Sequence, residues 1–302
     1  MGLASNLLYL FGLLGTGLVA RRVGLLTPTR ADYLTRFAFY IALPALIFDS
    51  TATTDIATVF SPGMIAAFVL VELAVAAIAW VVHRRVDTAA KRSVAIVQSY
   101  HGNFGFLGLP IVAMSLGAAA TAKASVLLGI GSLVQVPLTV LVLMTINDAD
   151  ADLRDELVGI ARNPVIVTLV LGLGFAAFGL PVPDIATTTL GWLSQLALPV
   201  ALLSVAASLT LDPDGVDIPT VSAVVALKVV CMPVLAFVAF TLLTSDPITV
   251  YTGVVMLAMP TAISTFIYAT QLGGDTRLAS ANVFITTITS LVAVFAFLQF
   301  VH

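Results

Sequence analysis

The chain has 302 residues, 60% of them apolar and 10% charged, with 13 basic and 16 acidic side chains and a formal net charge of −3. Its mean hydropathy is +1.10. Soluble domains run about 45–50% apolar and about 25% charged, so this composition cannot clothe a water-soluble surface and excludes a soluble enzyme, a nucleic-acid binder and a disordered chain. One cysteine, Cys231, lies in an apolar run, which excludes an intrachain disulfide and speaks against a thiolate metal cluster.

Apolar runs of about 20 residues span a bilayer. The first is Ala4–Ala20; Met1–Asn6 carries no basic residue, so it reads as a retained helix and not as a secretory signal. Then come Tyr33–Thr51, Gly63–His83, Arg92–Leu116 and Thr121–Ile146. A polar stretch, Asn147–Asn163, separates these from Pro164–Leu180, Ile185–Leu209, Pro219–Leu243, Pro247–Leu272 and Leu278–Val301. The runs lack the period-2 alternation of a membrane barrel. The expected fold is an all-α polytopic membrane protein of ten transmembrane helices: residues 1–146 hold five, 147–163 form a solvated linker and 164–302 hold five more.

Basic residues give the orientation. Arg21, Arg22, Arg30 and Arg36 follow span one, Arg84, Arg85, Lys91 and Arg92 follow span three, Arg154 and Arg162 lie in the linker, and Arg277 follows span nine. These alternate loops belong in the cytoplasm, which puts both termini outside a cell (plasma) membrane. The loop Thr210–Pro219, with three aspartates and no basic residue, weakens the pattern without reversing it.

The halves repeat. Ile41-Ala42-Leu43-Pro44-Ala45 in span two is echoed 155 residues later by Leu196-Ala197-Leu198-Pro199-Val200 in span seven. With five spans per half the copies run in opposite directions, the inverted-repeat plan of many secondary transporters. The alternative is two unrelated kinked helices.

Spans four and nine are expected to be broken. Span four holds Gly102-Asn103-Phe104-Gly105-Phe106-Leu107-Gly108-Leu109-Pro110, and span nine holds Met259-Pro260-Thr261-Ala262-Ile263-Ser264. Proline costs a helix interior about 3 kcal/mol and glycine about 1. In lipid the freed backbone groups survive only inside protein or beside a polar cavity. Each break exposes a half-helix N-terminus, expected after Leu109-Pro110 and near Thr261, whose positive dipole end suits an anion. Interruptions in corresponding spans of two halves point to a transport site.

At these residues the chain resembles the auxin efflux carrier family, which includes PIN-type auxin carriers and bacterial malate or malonate permeases. The stretches Arg36–Pro44, Asn103–Ile111, Leu227-Lys228 with Pro233, Met259–Ala262, and Gly274-Asp275 running into Ala279–Ser290 carry the likeness in order along nearly the whole chain. The resemblance implies two inverted five-helix repeats, with helices one, two, six and seven as a scaffold. The other helices, including the crossover helices four and nine, would form a transport domain that moves as an elevator. It implies a small organic anion as substrate, bound at Asn103, at the Pro110 and Pro260 breaks and beside Gln135. Homodimers are common in the family. The short linker favours a prokaryotic permease over plant auxin physiology. The related bile-acid sodium symporters have a similar architecture but use acidic residues near their ninth-helix crossover, and Val254–Ala269 contains none.

Other polar residues fall within spans. Glu72 and Lys228 are near symmetry mates under the same offset. Intramembrane charges are functional candidates by default. Lys228 could attract the anion or titrate, and Glu72 could pair with it or carry a coupling proton; a structural ion pair is the plainer alternative. Asp49 is expected to be wetted at the end of span two. Gln135 places an amide in span five, His101 adjoins the first break, and Ser264 follows the second. Asn282, Thr286 and Thr287, with Ser290, form a secondary polar set in span ten, where interhelical hydrogen bonding is the ordinary role.

A transporter of a small carboxylate therefore leads. A cation-coupled symporter and a membrane receptor or sensor are the rivals. An enzyme is not expected, because no Gly-x-Ser-x-Gly or Gly-x-Gly-Asp occurs and His83, His101 and His302 do not cluster as metal ligands. No Gly-x-x-x-x-Gly-Lys motif is present for a nucleotide, and no cofactor or nucleic-acid partner is expected.

Overall fold

A computed structural model describes residues 3–209 and 216–301, all of whose regular structure is helical. The helices are α1 (Leu3–Arg22), α2 (Pro28–Thr51), α3 (Ile56–His83), α4 (Ala89–Tyr100), α5 (Phe104–Asn147) and α6 (Leu153–Arg162). There follow α7 (Pro164–Phe178), α8 (Asp184–Ser208), α9 (Ile218–Leu243), α10 (Pro247–Leu257), α11 (Ser264–Gln271) and α12 (Thr276–Val301). Asp212 and Asp214 of the acidic loop, and His302, lie outside the described residues.

Helix starts are written in local chemistry. Thr27-Pro28, Asn163-Pro164 and Asp246-Pro247 each place a capping side chain before a proline. The cap accepts a first-turn N–H, and the proline, which has no N–H to offer, occupies a position that needs none. Prolines farther in are handled differently. Pro44, Pro110 and Pro233 each follow one widened π-helical segment, at Ala38–Ala42, Phe104–Gly108 and Ala226–Cys231. A proline ring clashes with the carbonyl four residues back and leaves it without a donor. A π-turn widens the ring of atoms and absorbs both effects without ending the helix.

Six helices among the described residues are long and apolar enough to cross a membrane: α2, α3, α5, α8, α9 and α12. The pair α6 and α7, bent by 53° at Asn163, is a seventh candidate. This makes the chain a multi-pass membrane protein. At 44 residues α5 would be about 66 Å long if straight, twice a bilayer. It is kinked at Gly117, whose φ of 82° only glycine adopts freely.

The helices pack in two groups. In one, α1 and α2 lie against α8, and α2 also lies against α7; in the other, α3, α4, α5, α9, α10, α11 and α12 pack on each other. They meet chiefly where α5 packs against α2 and α8, with lighter contacts of α1 on α12 and of α7 on α3 and α5. The linker is more structured than its polarity suggested: α6 is a ten-residue amphipathic helix capped by Asp152.

Candidate functional site

The two interrupted stretches cross. α4 ends at Tyr100 and α5 begins at Phe104; α10 ends at Leu257 and α11 begins at Ser264. Between these ends the extended residues pair antiparallel at Gly102 and Thr261. Asn103 N–H donates to the Pro260 carbonyl at 2.8 Å, and Ala262 N–H donates to the His101 carbonyl at 3.1 Å. Each break supplies the partners that the other lacks, which is how unwound backbone persists at membrane depth. Glycine at 102 is required here, because a Cβ would collide with the Phe104 ring and stand 3.0 Å from Lys228 Nζ.

The first half-helix restarts at Phe104, six residues before Pro110. Asn103 is the reason: its Oδ1 accepts Phe106 N–H at 3.2 Å and caps the new helix. Pro110 and Leu109 are buried within α5, and Pro110 borders a separate crevice with Tyr9, Leu46 and Pro199.

Beside the crossing lies a cavity of 330 Å³. The start of α5 contributes Asn103, Phe104 and Gly105, and the start of α11 contributes Ile263 and Ser264. The first N–H groups of a helix have no acceptor within it. Here Asn103 Oδ1 takes Phe106 N–H at one end and the Ala262 and Ile263 carbonyls take Thr265 and Phe266 N–H at the other; the cavity borders both positive helix ends, each equivalent to about half a unit charge. His101, Ser132 and Gln135 add polar groups, and Thr35, Ser204 and Ser208 add hydroxyls from α2 and α8. Phe39, Leu43, Leu128 and Ile267 make the remaining wall largely apolar. Among the described residues no lysine or arginine lines it.

The polar side chains have defined partners. Asn103 is 6% exposed, and because its Oδ1 is the cap, its Nδ2 is turned away with no acceptor among the described residues. Gln135 donates through Nε2 to Glu72 Oε1 at 2.8 Å, leaving its own Oε1 without a donor among the described residues. Glu72 is fully buried, and its Oε2 has no hydrogen-bond partner among the described residues. His101 Nδ1 pairs with Thr139 Oγ1 at 2.8 Å. Thr261 and Thr286 brace the crossing, with Thr261 N–H on Thr286 Oγ1 at 3.3 Å and Thr261 Oγ1 on the His101 carbonyl at 3.2 Å. Thr287 is buried and bonds only its own helix.

Lys228 lies behind the crossing, against the far side of Gly102 and Phe104, and does not itself line the cavity. Its Nζ donates to the Tyr100 carbonyl at 3.1 Å and the Leu257 carbonyl at 3.4 Å, the last residues of α4 and α10. It also contacts Met232 Sδ at 3.0 Å and lies 5.8 Å from the centroid of the Phe104 ring. One ammonium thus sits at two negative helix ends, where a cation is stabilising. Among the described residues no direct ion pair joins it to Glu72.

The structure brings together Asn103, Gln135, His101 and Ser264 at the cavity, with Pro260 and Thr261 in the crossing. It places Lys228, Glu72, Asn282, Thr286 and Thr287 in the layers behind. Two further residues belong to this network. Gln98 donates to Thr265 Oγ1 at 2.9 Å and to the Ala279 carbonyl at 3.1 Å, and it accepts from Asn282 Nδ2 at 2.8 Å. Thr139 holds both His101 and the Tyr100 hydroxyl. The signal for Gln98 was an amide inside an apolar span just before a break; Thr139 had none.

A paired break beside a largely apolar cavity with a few convergent polar groups, in a multi-pass helical protein, is the plan of a membrane transporter. The model of the membrane transport protein family matches residues 3–156 and 153–298, and the chain belongs to that family, the auxin efflux carrier family. Its relatives include a Rhizobium meliloti (strain 1021) protein named "Putative malonate transporter", 26% identical over 299 residues, with 97% of this chain and 93% of the relative covered. An "Uncharacterized transporter" of Methanothermobacter thermautotrophicus is 24% identical over 296 residues, covering 97% of this chain and 96% of that protein. The family and these relatives are transporters, not enzymes.

Proposed function

We propose that the protein is a secondary transporter of a small carboxylate, with malonate the first substrate to test. The observation that carries this reading is the crossing itself: two half-helix N-termini and the free Asn103 amide face one cavity. Partial positive charge at the helix ends and an N–H donor are what a carboxylate requires. The malonate assignment of the Rhizobium relative agrees with a cavity of 330 Å³.

The proposed architecture is ten crossings in two inverted five-helix repeats. α1, α2, α7 and α8 act as a scaffold, paired in a homodimer, and the group around the crossing moves as an elevator. The separate packing of the two groups supports this division. The distribution of basic residues supports termini outside the plasma membrane. The cavity wall includes Asn163 and Tyr268, and Tyr268 meets Glu156 of α6, so the cavity reaches toward the linker and the cytoplasm.

Proton coupling through Glu72 is a second reading, favoured by its buried Oε2 without a partner and by its link through Gln135 to the cavity. The test of both is flux into proteoliposomes. Wild type should accumulate malonate and exchange it for unlabelled malonate. Glu72→Gln should retain exchange but lose any response to an imposed pH gradient. Binding without flux would instead identify a receptor.

A further inference from the structure

We propose that the cavity admits its substrate as a monoanion, with one carboxylate at the crossing and a neutral hydrogen-bond donor toward Gln135. A short dicarboxylate would then enter in its singly protonated form. The inference rests on the carboxylate site proposed above and adds the charge state that the site selects.

The first argument is charge. Two helix N-termini of about half a unit each amount to about one positive charge at the cavity. The two opposing C-terminal ends, at Tyr100 and Leu257, are matched by Lys228. Among the described residues no lysine or arginine lines the cavity, and the charged groups near it are Lys228 behind Gly102 and Phe104, already matched by those helix ends, and the acidic Glu72 behind Gln135 and Glu156 at Tyr268. Whether Glu72 holds a proton or not, Lys228 is committed to the two helix C-termini and adds no unmatched positive charge. A second carboxylate would be stripped of water in a largely apolar chamber with no counter-charge, which is unfavourable.

The second argument is the direction of the amides. Asn103 is 6% exposed and turns an unpartnered N–H₂ donor toward the space its side chain lines, which suits an ionised carboxylate. Gln135 is 2% exposed and directs its amide nitrogen to Glu72 through one of its two N–H groups, while its Oε1 has no donor among the described residues and is the acceptor it offers beside the cavity. An acceptor repels a second carboxylate but receives a hydrogen bond from a carboxylic acid, a carboxamide or a hydroxyl. Asn103 and Gln135 therefore present opposite polarities to the two ends of one small molecule.

The test compares malonate with malonamate, its half-amide, by calorimetric titration of the purified protein across a pH series. Malonamate carries one negative charge and a neutral N–H₂ donor throughout the range. Above the second ionisation of malonic acid, the singly charged form falls about tenfold per pH unit, and the apparent malonate affinity should fall with it. Malonamate affinity should stay level. That control also isolates His101, Glu72 and Lys228, because titration of any of them would move both ligands together. Malonate affinity that stays constant or rises while the dianion takes over would overturn the monoanion assignment and leave the carboxylate site intact. Failure of both ligands to bind at every pH would overturn the carboxylate site and this inference with it.

Discussion

Replacing Asn103 separates the two tasks its amide performs. Oδ1 caps α5 by accepting Phe106 N–H, and Nδ2 remains for a ligand. Aspartate is as good a cap as asparagine, so Asn103→Asp should keep the fold, whereas Asn103→Ala should cost about 0.5–2 kcal/mol of cap stability. Binding should rank the other way. Alanine removes one hydrogen bond to a charged group, worth about 1.5–3 kcal/mol, so affinity should fall about 10- to 150-fold. Aspartate removes the same donor and adds a negative charge. At about 4 Å and an effective dielectric of about 20 the repulsion is about 4 kcal/mol, near a further thousandfold. Thermal melting and calorimetric titration of malonate on both purified variants provide the two readouts. If Asn103→Asp binds as tightly as the parent, the carboxylate does not sit at the crossing. If Asn103→Ala melts like the parent while Asn103→Asp unfolds, the side chain is not the cap described.

Lys228→Met, which keeps length and loses charge, should leave two buried carbonyls without a donor, costing about 2–6 kcal/mol, and should lower both Tm and malonate affinity; unchanged values for both would make the lysine dispensable. The Asp217 carboxyl, outside the membrane, would be raised by partial burial alone, but hydrogen bonds from Lys91 and Thr220 outweigh burial and hold it below the usual carboxylate range. A depressed folded pKa means stabilisation that is present above the unfolded value of about 3.9 and lost as pH falls through the folded one. The Tm difference between wild type and Asp217→Asn should accordingly be visible at pH 7 and shrink on acidification; a gap that widens in acid would contradict the assignment. Cysteines placed at Thr53 and Asp184 should react with an impermeant reagent added outside intact cells, and cysteines at Thr29 and Asp150 should not; the reverse pattern would invert the topology.

Much of this site was legible in the sequence because proline and glycine act on their own backbone. Gly102, Pro260 and the clustered glycines after Asn103 located both breaks without any tertiary information. The position of the first restart was not legible in the same way. Pro110 marks the stronger local penalty, but the π-turn at Phe104–Gly108 absorbs it, and the cap supplied by Asn103 sets the helix start instead. Side-chain direction was the other gap. A sequence shows that Gln135 carries both a donor and an acceptor; only packing against Glu72 decides which one is left for the cavity. Lys228 stood out as an intramembrane charge, yet its role at two helix C-termini depends on a crossing that joins residues more than a hundred positions apart in the chain. Thr139 is one hydroxyl among many in apolar spans, and nothing local distinguishes it from threonines that bond their own helix.

If the paired breaks build a carboxylate transport site, the protein must move malonate across a bilayer through them. Counterflow in proteoliposomes tests it most directly: vesicles loaded with unlabelled malonate and diluted into a trace of radiolabelled malonate should accumulate label transiently. Asn103→Asp protein, reconstituted to the same density, should accumulate no more label than empty liposomes. Label uptake by the Asn103→Asp protein equal to wild type would contradict the account, as would wild-type protein that binds malonate and moves none.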